Sequence, residues 1–306
     1  MTRYVLTRIG HVLISLWAIS LLVFALTHLT GNPVDAYLPV DATREQAEEL
    51  TRRWGFDLPV HQQYLRFMAN ALQGDLGDSL KWRGQTAVEV VLHRLPATLL
   101  LGGVAVLLSV VVAIPLGVVA AMYQGGRIDK LANVVALLGQ SIPAFWLGIV
   151  LIWVFSVNLG WLPTSGRGGL AHMILPAISM AAFQIAALAR LTRSAMLEEL
   201  DQEYVKFARL KGVPEWLIVW KHALRNALIV PLTYFGILAG ALLAGSVVVE
   251  MVFDWPGTGL LVIDAIRGRD YPVVQAVVIV FAILYLLINF AIDILYAFVD
   301  PRIRLK

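Results

Sequence analysis

The chain has 306 residues, of which 59% are apolar and 15% charged, and its formal net charge is +3. Its mean hydropathy of +0.75 is far above that of an ordinary soluble domain, which argues against a soluble enzyme or binding protein and indicates a lipid environment. The absence of cysteine excludes disulfides and thiolate metal sites. The pI near 9.2 reflects membrane topology rather than nucleic-acid binding.

Six runs of the chain lack Asp, Glu, Lys and Arg, and each exceeds the roughly 20 residues that a helix needs to cross a hydrocarbon core. An ionised side chain at mid-bilayer costs about 3 kcal/mol, so a soluble protein is not expected to show this charge distribution. The sequence therefore predicts an all-α integral membrane protein with six transmembrane helices. Their approximate bounds are 9–29, 97–122, 131–158, 173–190, 227–251 and 273–298, the fourth being the shortest.

The first predicted helix follows Arg3 and Arg8 and runs to Leu29, which is longer than the core of a signal peptide. If the N-terminus is cytoplasmic, the inner segments hold fourteen Lys and Arg residues. The short outer loops hold only Arg167, Arg267 and Arg269. This positive-inside bias predicts that both termini are cytoplasmic and that 300–306 form an inner tail.

The segment 31–94 follows this helix on the outer side, and it contains two helix signals. Thr43 and Gln46 have the spacing of a capping box ahead of 44–53. Pro59 opens an amphipathic stretch that ends before Gly74. We therefore predict two short helices and treat residues 1–94 as the first transmembrane helix plus an extracytoplasmic helical segment.

Several residues inside the predicted spans are candidates for a translocation path or gate. Pro143, with Gly139 and Gly148, interrupts the third helix, and Pro115 lies in the second, so both helices are predicted to bend. Polar side chains need an explanation because lipid cannot hydrogen-bond them. Interhelical hydrogen bonding is the alternative to a path. The candidates are Gln140, Pro143, Gln184, Glu250 and Asn289.

The cytoplasmic loop 192–226 is long for a simple connection. Apolar residues at helical spacing over 195–211, including Met196, Phe207 and Leu210, predict one partly buried surface helix. Gly212 can end it through a positive φ, and Pro214 suits the start of the next helix. The pattern predicts a helix, a break and a second helix, which could act as a lever or be a plain helix-turn-helix at the membrane interface.

This loop resembles the cytoplasmic EAA loop of bacterial ABC-importer permeases through Glu203-Tyr-Val-Lys-Phe-Ala-Arg-Leu-Lys-Gly-Val-Pro and Lys221-His-Ala-Leu-Arg-Asn. Ala208 and Gly212 fall on the motif's second alanine and its glycine. Lys206 and Phe207 replace its glutamate and first alanine, as in the peptide and nickel branch. The resemblance implies an ATPase-coupling loop with these residues: Glu203, Tyr204, Ala208, Arg209, Lys211, Gly212, His222, Arg225 and Asn226.

Further motifs along the chain are similar, in order and spacing, to the first permease subunit of dipeptide, oligopeptide, glutathione and nickel importers. They are Leu29-Thr-Gly-Asn-Pro, Gly55-Phe-Asp-Leu-Pro, Gly74-Asp-Leu-Gly-Asp-Ser, Ser141-Ile-Pro-Ala-Phe-Trp-Leu-Gly, Val249-Glu-Met-Val-Phe-Asp-Trp-Pro-Gly-Thr-Gly and Asp300-Pro-Arg. The resemblance implies a type I ABC-importer permease fold with its core at 95–299, located in the bacterial inner membrane. It also implies a second homologous permease, two ATP-binding subunits that hold ATP and Mg, an extracytoplasmic solute-binding protein and a peptide cargo.

The sequence lacks the motifs that would make the chain an enzyme. No Gly-x-x-x-x-Gly-Lys-Ser/Thr loop is present to hold nucleotide phosphates, and neither the zinc-hydrolase helix motif nor a Gly-x-Ser-x-Gly elbow occurs. We therefore expect no catalytic residues, no metal site and no cofactor bound by this chain. The alternatives to a permease subunit are an autonomous channel or ion-coupled carrier, suggested by Glu250 and Asp293 within the spans, and a purely structural membrane anchor.

Overall fold

The computed structural model describes residues 2–29, 43–54 and 57–299. Within them the chain is helical, and the only extended pairing is an isolated bridge between Asp78 and Thr86. The helices are α1 (Thr2–Leu29), α2 (Arg44–Trp54), α3 (Val60–Leu72), α4 (Ala87–Met122), α5 (Arg127–Ser141), α6 (Ala144–Leu151), α7 (Leu170–Leu200), α8 (Glu203–Leu210), α9 (Glu215–Leu217), α10 (Leu224–Ala227), α11 (Ile229–Val252), α12 (Thr258–Arg267) and α13 (Tyr271–Val299). A π-helix, Ile152–Asn158, extends α6, and another, Ile218–Ala223, joins α9 to α10. The tail 300–306 and the side chain of Asp293 lie outside the described residues.

Three helices of the described part are long and apolar enough to cross a bilayer: Ala87–Met122, Leu170–Leu200 and Tyr271–Ala291. Together α5 and α6, with its π-helical extension, are apolar enough to be a fourth span, although the two halves meet at 106°. The described apolar part of α1, Ile9–Ala25, is shorter. The all-helical prediction is confirmed for these residues, whereas the count of six spans stays a prediction.

The predicted break in the third span is confirmed at Pro143. Helix α5 ends at Ser141, and Pro143, with φ −62°, is the residue that precedes α6. Proline has no N–H to donate to the preceding turn, which favours the end of α5 at this point. Gly148 allows α6 to pack closely against Phe253, because a Cβ there would lie 2.9 Å from the Phe253 ring. Helix α4, in contrast, is unbroken at Pro115.

The fourth predicted helix is not the shortest, because α7 runs over 31 residues from Leu170 to Leu200. The predicted helix ends near position 190 because charged residues follow it. In the structure these charged residues belong to the same helix, which extends beyond its apolar part. Helix α4 likewise begins at Ala87 rather than near 97. Thr86 and Glu89 form a capping box there, with the Thr86 N–H donating to Glu89 Oε2 over 2.8 Å.

Both predicted helices of the outer segment are present. The Thr43 N–H donates to Gln46 Oε1 over 2.9 Å, and the Gln46 N–H donates to Thr43 Oγ1 over 3.4 Å, so the predicted capping box is confirmed ahead of α2. Pro59 precedes α3 as predicted. Helix α12 was missed, because sequence reasoning treated the residues before the last span only as a short outer loop.

Residues 97–256 and 288–299 form one compact unit. Its core contains Leu101 of α4, Leu175 of α7, and Phe253 and Trp255 after α11, each at most 2% exposed. Helices α4 and α7 approach so closely at Gly117 that a Cβ would lie 2.6 Å from the Ala189 carbonyl oxygen. Glycine is therefore required at this crossing.

The described residues among 1–96 and 257–287 form the other compact unit, which contains the predicted outer segment. A buried carboxylate organises part of it. Asp270 has no exposed surface. Its Oδ2 accepts the Ser79 hydroxyl over 2.5 Å and the N–H groups of Leu80 and Lys81 over 3.0 Å each, while its Oδ1 accepts the Val273 N–H at the start of α13 over 3.4 Å. Asp270 thus fixes residues 79–81 against the beginning of α13.

Replacing Ser79 with Ala is expected to lower the free energy of unfolding of the unit that contains Asp270 by about 2 kcal/mol. The substitution removes a hydrogen bond to a buried carboxylate. The measurement is thermal unfolding of the purified chain, combined with hydrogen exchange over 79–86. Ser165→Ala, at an exposed turn residue, is the control and should be neutral. Equal behaviour of the two variants would show that the Ser79 bond contributes no stability.

Candidate functional site

The predicted break in the cytoplasmic loop is confirmed, and we call residues 201–227 the elbow. Helix α8 ends at Leu210, and Gly212 has φ +73°, a conformation that favours glycine. The Gly212 N–H donates to the Arg209 carbonyl over 3.0 Å, and the Val213 N–H donates to the Ala208 carbonyl over 3.1 Å. These bonds close α8 before Pro214 starts the second arm.

The stretch 195–211 is not one helix, contrary to the sequence prediction. Helix α7 ends at Leu200 and α8 begins at Glu203, so the helical periodicity is interrupted between them. Met196 before the turn is fully buried as predicted, whereas Phe207 and Leu210 after it are 61% and 83% exposed. The side chain of α8 that points into the protein is Val205, which is fully buried.

The second arm of the elbow is anchored in the protein interior. Ile218 and Val219 of the π-helix are 0% and 1% exposed. Val219 belongs to a cluster with Val118 of α4 and Met196 of α7. The elbow therefore has one arm that is largely exposed, α8, and one arm that is packed against α4 and α7.

Two predicted site residues meet in a hydrogen-bonded network at the base of α8. The Tyr204 hydroxyl donates to Glu199 Oε2 over 2.6 Å, and Asn226 Nδ2 donates to the Tyr204 oxygen over 3.1 Å. Burial, together with the bond to Glu199, raises the pKa of Tyr204 above its ordinary value. The phenol therefore stays protonated and ties the end of α7 to both arms.

An ion pair spans the break at Gly212. Arg209 donates to Glu215 through Nη2 over 2.7 Å and through Nε over 3.2 Å, and these bonds lower the pKa of the Glu215 carboxyl. Both side chains are about half exposed, so the pair contributes at most about 1 kcal/mol. It lines an open groove of about 720 Å³ between the elbow and the turn after α4.

The elbow exposes a set of large apolar side chains in an otherwise charged loop. Phe207, Leu210 and Trp216 are 61%, 83% and 65% exposed. Exposed apolar groups of this size on two neighbouring helices are typical of a surface that binds another protein. The remaining predicted coupling residues Glu203, Lys211, His222 and Arg225 are also exposed, whereas Ala208 is half-buried.

The structure places the candidate pathway residues at separate positions. Gln140 is half-buried at the end of α5, next to Gly139, which packs against Ala186 of α7. Gln184 lies on α7 two residues before Ala186 and is 4% exposed, and its Oε1 has no hydrogen-bond partner among the described residues. Pro143 is exposed at the break, and Asn289 is half-buried on α13.

Glu250 is fully buried in this conformation. Its Oε1 accepts the Thr98 hydroxyl over 2.8 Å. Close by in sequence, the Trp255 indole donates to the Ala97 carbonyl over 3.0 Å. These bonds connect α4 with α11 and the residues after it, which fits the alternative of interhelical hydrogen bonding at this position.

Sequence reasoning missed a buried ion pair between α5 and α7. Arg193 donates to Asp129 through Nε over 2.5 Å and through Nη2 over 2.8 Å, and the Gly125 N–H adds a bond of 2.8 Å. Asp129 is 4% exposed and precedes the predicted third span. The guanidinium of Arg193 lowers the pKa of Asp129 to about 2. The sequence feature that could have indicated this pair is an acidic residue, Asp129, between the basic residues Arg127 and Lys130.

Comparison with known proteins agrees with these features. Residues 113–305 match the family described as "Binding-protein-dependent transport system inner membrane component". The glutathione transport system permease protein GsiC of Escherichia coli (strain K12) is 40% identical over 307 residues, with 100% of both chains covered. The protein of the same name from Shigella dysenteriae serotype 1 (strain Sd197) is also 40% identical over the full length.

Two solved structures share the fold. The inward-facing MetNI methionine ABC transporter has a TM-score of 0.59 at 22% identity, over 69% of this chain and 96% of that one. An amino acid ABC transporter solved with histidines has a TM-score of 0.52 at 14% identity, over 68% and 94% of the two chains. The chain therefore belongs to the inner-membrane permeases of binding-protein-dependent ABC importers, which are transport components of the bacterial inner membrane and not enzymes.

Proposed function

We propose that this chain is a permease subunit of an ATP-driven importer and that its elbow transmits movements of separate ATPases to the transmembrane helices. The observation that supports this most directly is the asymmetry of the elbow. Phe207 and Leu210 on α8 are exposed, while Val219 on the second arm is buried against α4 and α7. A displacement applied to the exposed residues would reach those helices through a packed contact.

The proposed topology has six spans with both termini in the cytoplasm. Residues 1–94 form the first span and an extracytoplasmic segment, residues 95–299 form the permease core, and residues 300–306 form an inner tail. The excess of Lys and Arg in the proposed inner segments supports this orientation. This orientation puts the predicted coupling loop 192–226, which contains nearly all of the elbow, on the cytoplasmic side, where ATPases would reach it.

The proposed assembly contains a second, homologous permease, two ATP-binding subunits and an extracytoplasmic solute-binding protein. ATP and Mg are held by the ATP-binding subunits, and this chain binds no cofactor. The family description, which names a binding protein and an inner membrane component, supports the division of labour. The lack of a phosphate-binding loop in the sequence supports the placement of ATP on other subunits.

We propose a small peptide as cargo, with glutathione and di- or oligopeptides as the leading candidates. The support is the 40% identity to permeases named for glutathione transport. Gln184 is the strongest candidate for the path, since its buried amide oxygen has no partner in the described part of the chain and could accept a hydrogen bond from a peptide N–H once the helices part. Gln140, Pro143, Glu250 and Asn289 would become path or gate residues only in that opened state. Identifying the ligand that the binding protein retains on purification would test the cargo.

Replacing Leu210 with Ala tests the docking role. Leu210 is 83% exposed, so its truncation should leave the stability of the chain unchanged, whereas loss of a buried interface leucine costs about 1–3 kcal/mol. We expect roughly ten-fold weaker association with the ATP-binding subunits in detergent. Leu170→Ala is the matched control, because Leu170 is 79% exposed at the other end of α7. If Leu210→Ala associates with the ATP-binding subunits as tightly as the unmodified chain does, Leu210 is not part of a docking surface.

The alternative of an autonomous channel or ion-coupled carrier rests on Glu250 and Asp293. Burial of Glu250 against Thr98 gives it a structural role in this conformation, which weakens that alternative. The purified chain alone in liposomes should not move solute. Solute flux without ATP and without partner subunits would favour the channel, and normal uptake after loss of the chain would favour a structural anchor.

A further inference from the structure

Helix α3 of the outer segment packs along α1, which is the first predicted span. The hydroxyls of Ser20 and Tyr64 lie 2.8 Å apart in a hydrogen bond. The Phe24 ring meets Tyr64 edge-on at a centroid distance of 5.3 Å and lies 5.9 Å from the Phe67 ring. Val23 and Phe24 are only 4% and 7% exposed as a result. The contact is specific and involves one face of α3.

The position of this contact on α1 sets its depth relative to the bilayer. The predicted span ends at Leu29, on the side where the outer segment emerges. At about 1.5 Å per residue, Phe24 and Ser20 lie about 8 and 14 Å inside that end. Amphipathic helices at a membrane interface bury their apolar face about 5–10 Å into the headgroup and acyl boundary. The contact therefore places α3 at the level of the outer leaflet rather than above it.

A second apolar strip of α3 is not covered by α1. Leu65 and Leu72 are 65% and 83% exposed, and their spacing of seven residues puts them on one side of the helix. At the same level, α1 itself exposes Leu21 and Leu22, at 44% and 57%. Both α3 and the predicted first span therefore carry exposed apolar side chains at this level, as helices in contact with lipid do.

We infer that α3 is an interfacial helix whose Leu65 and Leu72 side chains insert into the outer leaflet beside α1. The occupant of the exposed strip is lipid hydrocarbon. Arg66 and Asn70, both exposed, lie on a different side of α3 and face the headgroups or water. The helix then anchors the extracytoplasmic segment to the bilayer surface and restricts how far that segment can move from the membrane.

The cysteine-free sequence allows a direct test with single-cysteine variants carrying a nitroxide label. Leu65→Cys and Leu72→Cys are compared with the controls Arg66→Cys and Asn70→Cys in the complete importer reconstituted in liposomes. Collision with oxygen, which partitions into lipid, is measured against collision with a water-soluble nickel chelate. We expect the oxygen-to-nickel ratio to be several-fold higher at both leucine positions than at both controls.

Two results would overturn the inference. A ratio at Leu65→Cys or Leu72→Cys equal to that of the controls would place the strip in water. Protection from both reagents would mean that protein covers the strip, whether the second permease, the binding protein or another part of this chain. Because the assay reads depth and not uptake, either failure is distinguishable from failure of the proposed transport function.

Discussion

Replacing Gly212 with Val is expected to remove most ATP-dependent uptake while leaving the importer assembled. Gly212 has φ +73°, which a β-branched residue adopts only at a cost of about 1–3 kcal/mol. No atom lies within 4 Å of the position of an added Cβ, so the cost comes from the backbone and not from a clash. The strain is relieved by reorienting α8 relative to α9, which displaces the exposed residues of the elbow.

Two controls separate the elbow from general backbone strain. Gly212→Asn should retain most uptake, since Asn tolerates the left-handed conformation far better than Val. Gly160→Val introduces the same kind of strain at φ +64°, also without a neighbour within 4 Å, but outside the elbow. Uptake of the ligand that co-purifies with the binding protein is measured in proteoliposomes and normalised to assembled complex. Equal uptake by Gly212→Val and the unmodified chain would rule out the lever.

The parts that sequence predicted well depend on signals confined to one segment. A charge-free stretch identifies an apolar helix, and Thr43 with Gln46 is a capping box whose two partners are three residues apart. Gly212 was assigned a positive φ because the residues around it already predicted two helices with a break between them. Pro143 was assigned a break because its ring excludes a helical hydrogen bond. None of these assignments requires knowledge of the tertiary structure.

The parts that were missed depend on partners distant in sequence. Asp270 and Ser79 are 191 positions apart, and neither position has a local pattern that identifies the other. The sequence predicts a buried face that includes Phe207 and Leu210 because the helical spacing of apolar residues continues past 201–202. Positions 201–202 contain no glycine or proline that would indicate the turn between α7 and α8. In the structure, Val205 occupies the buried side of α8, so Phe207 and Leu210 are exposed. Their exposure supports the docking role.

The buried pair of Asp129 and Arg193 should be the most sensitive polar contact between α5 and α7. Replacing Arg193 with Met leaves a carboxylate that is 4% exposed without its cation, and breaking such a pair costs about 3–5 kcal/mol. For a unit of this size, the loss corresponds to a decrease in Tm on the order of 10 °C. Arg190→Met, an exposed arginine on the same helix, should leave Tm unchanged.

The double variant Asp129→Asn with Arg193→Met distinguishes an unpaired charge from lost packing. It removes both charges while an amide oxygen remains to accept the Gly125 N–H, so it should recover most of the lost Tm. The pKa of Asp129 is lowered from 3.8 to about 2, so the stabilisation is fully present above the higher value and disappears only as the pH falls toward the lower one. The Tm values of the single and double variants should therefore be compared at neutral pH. A double variant no more stable than Arg193→Met alone would show that packing of the arginine stem, and not the paired charge, holds α5 to α7.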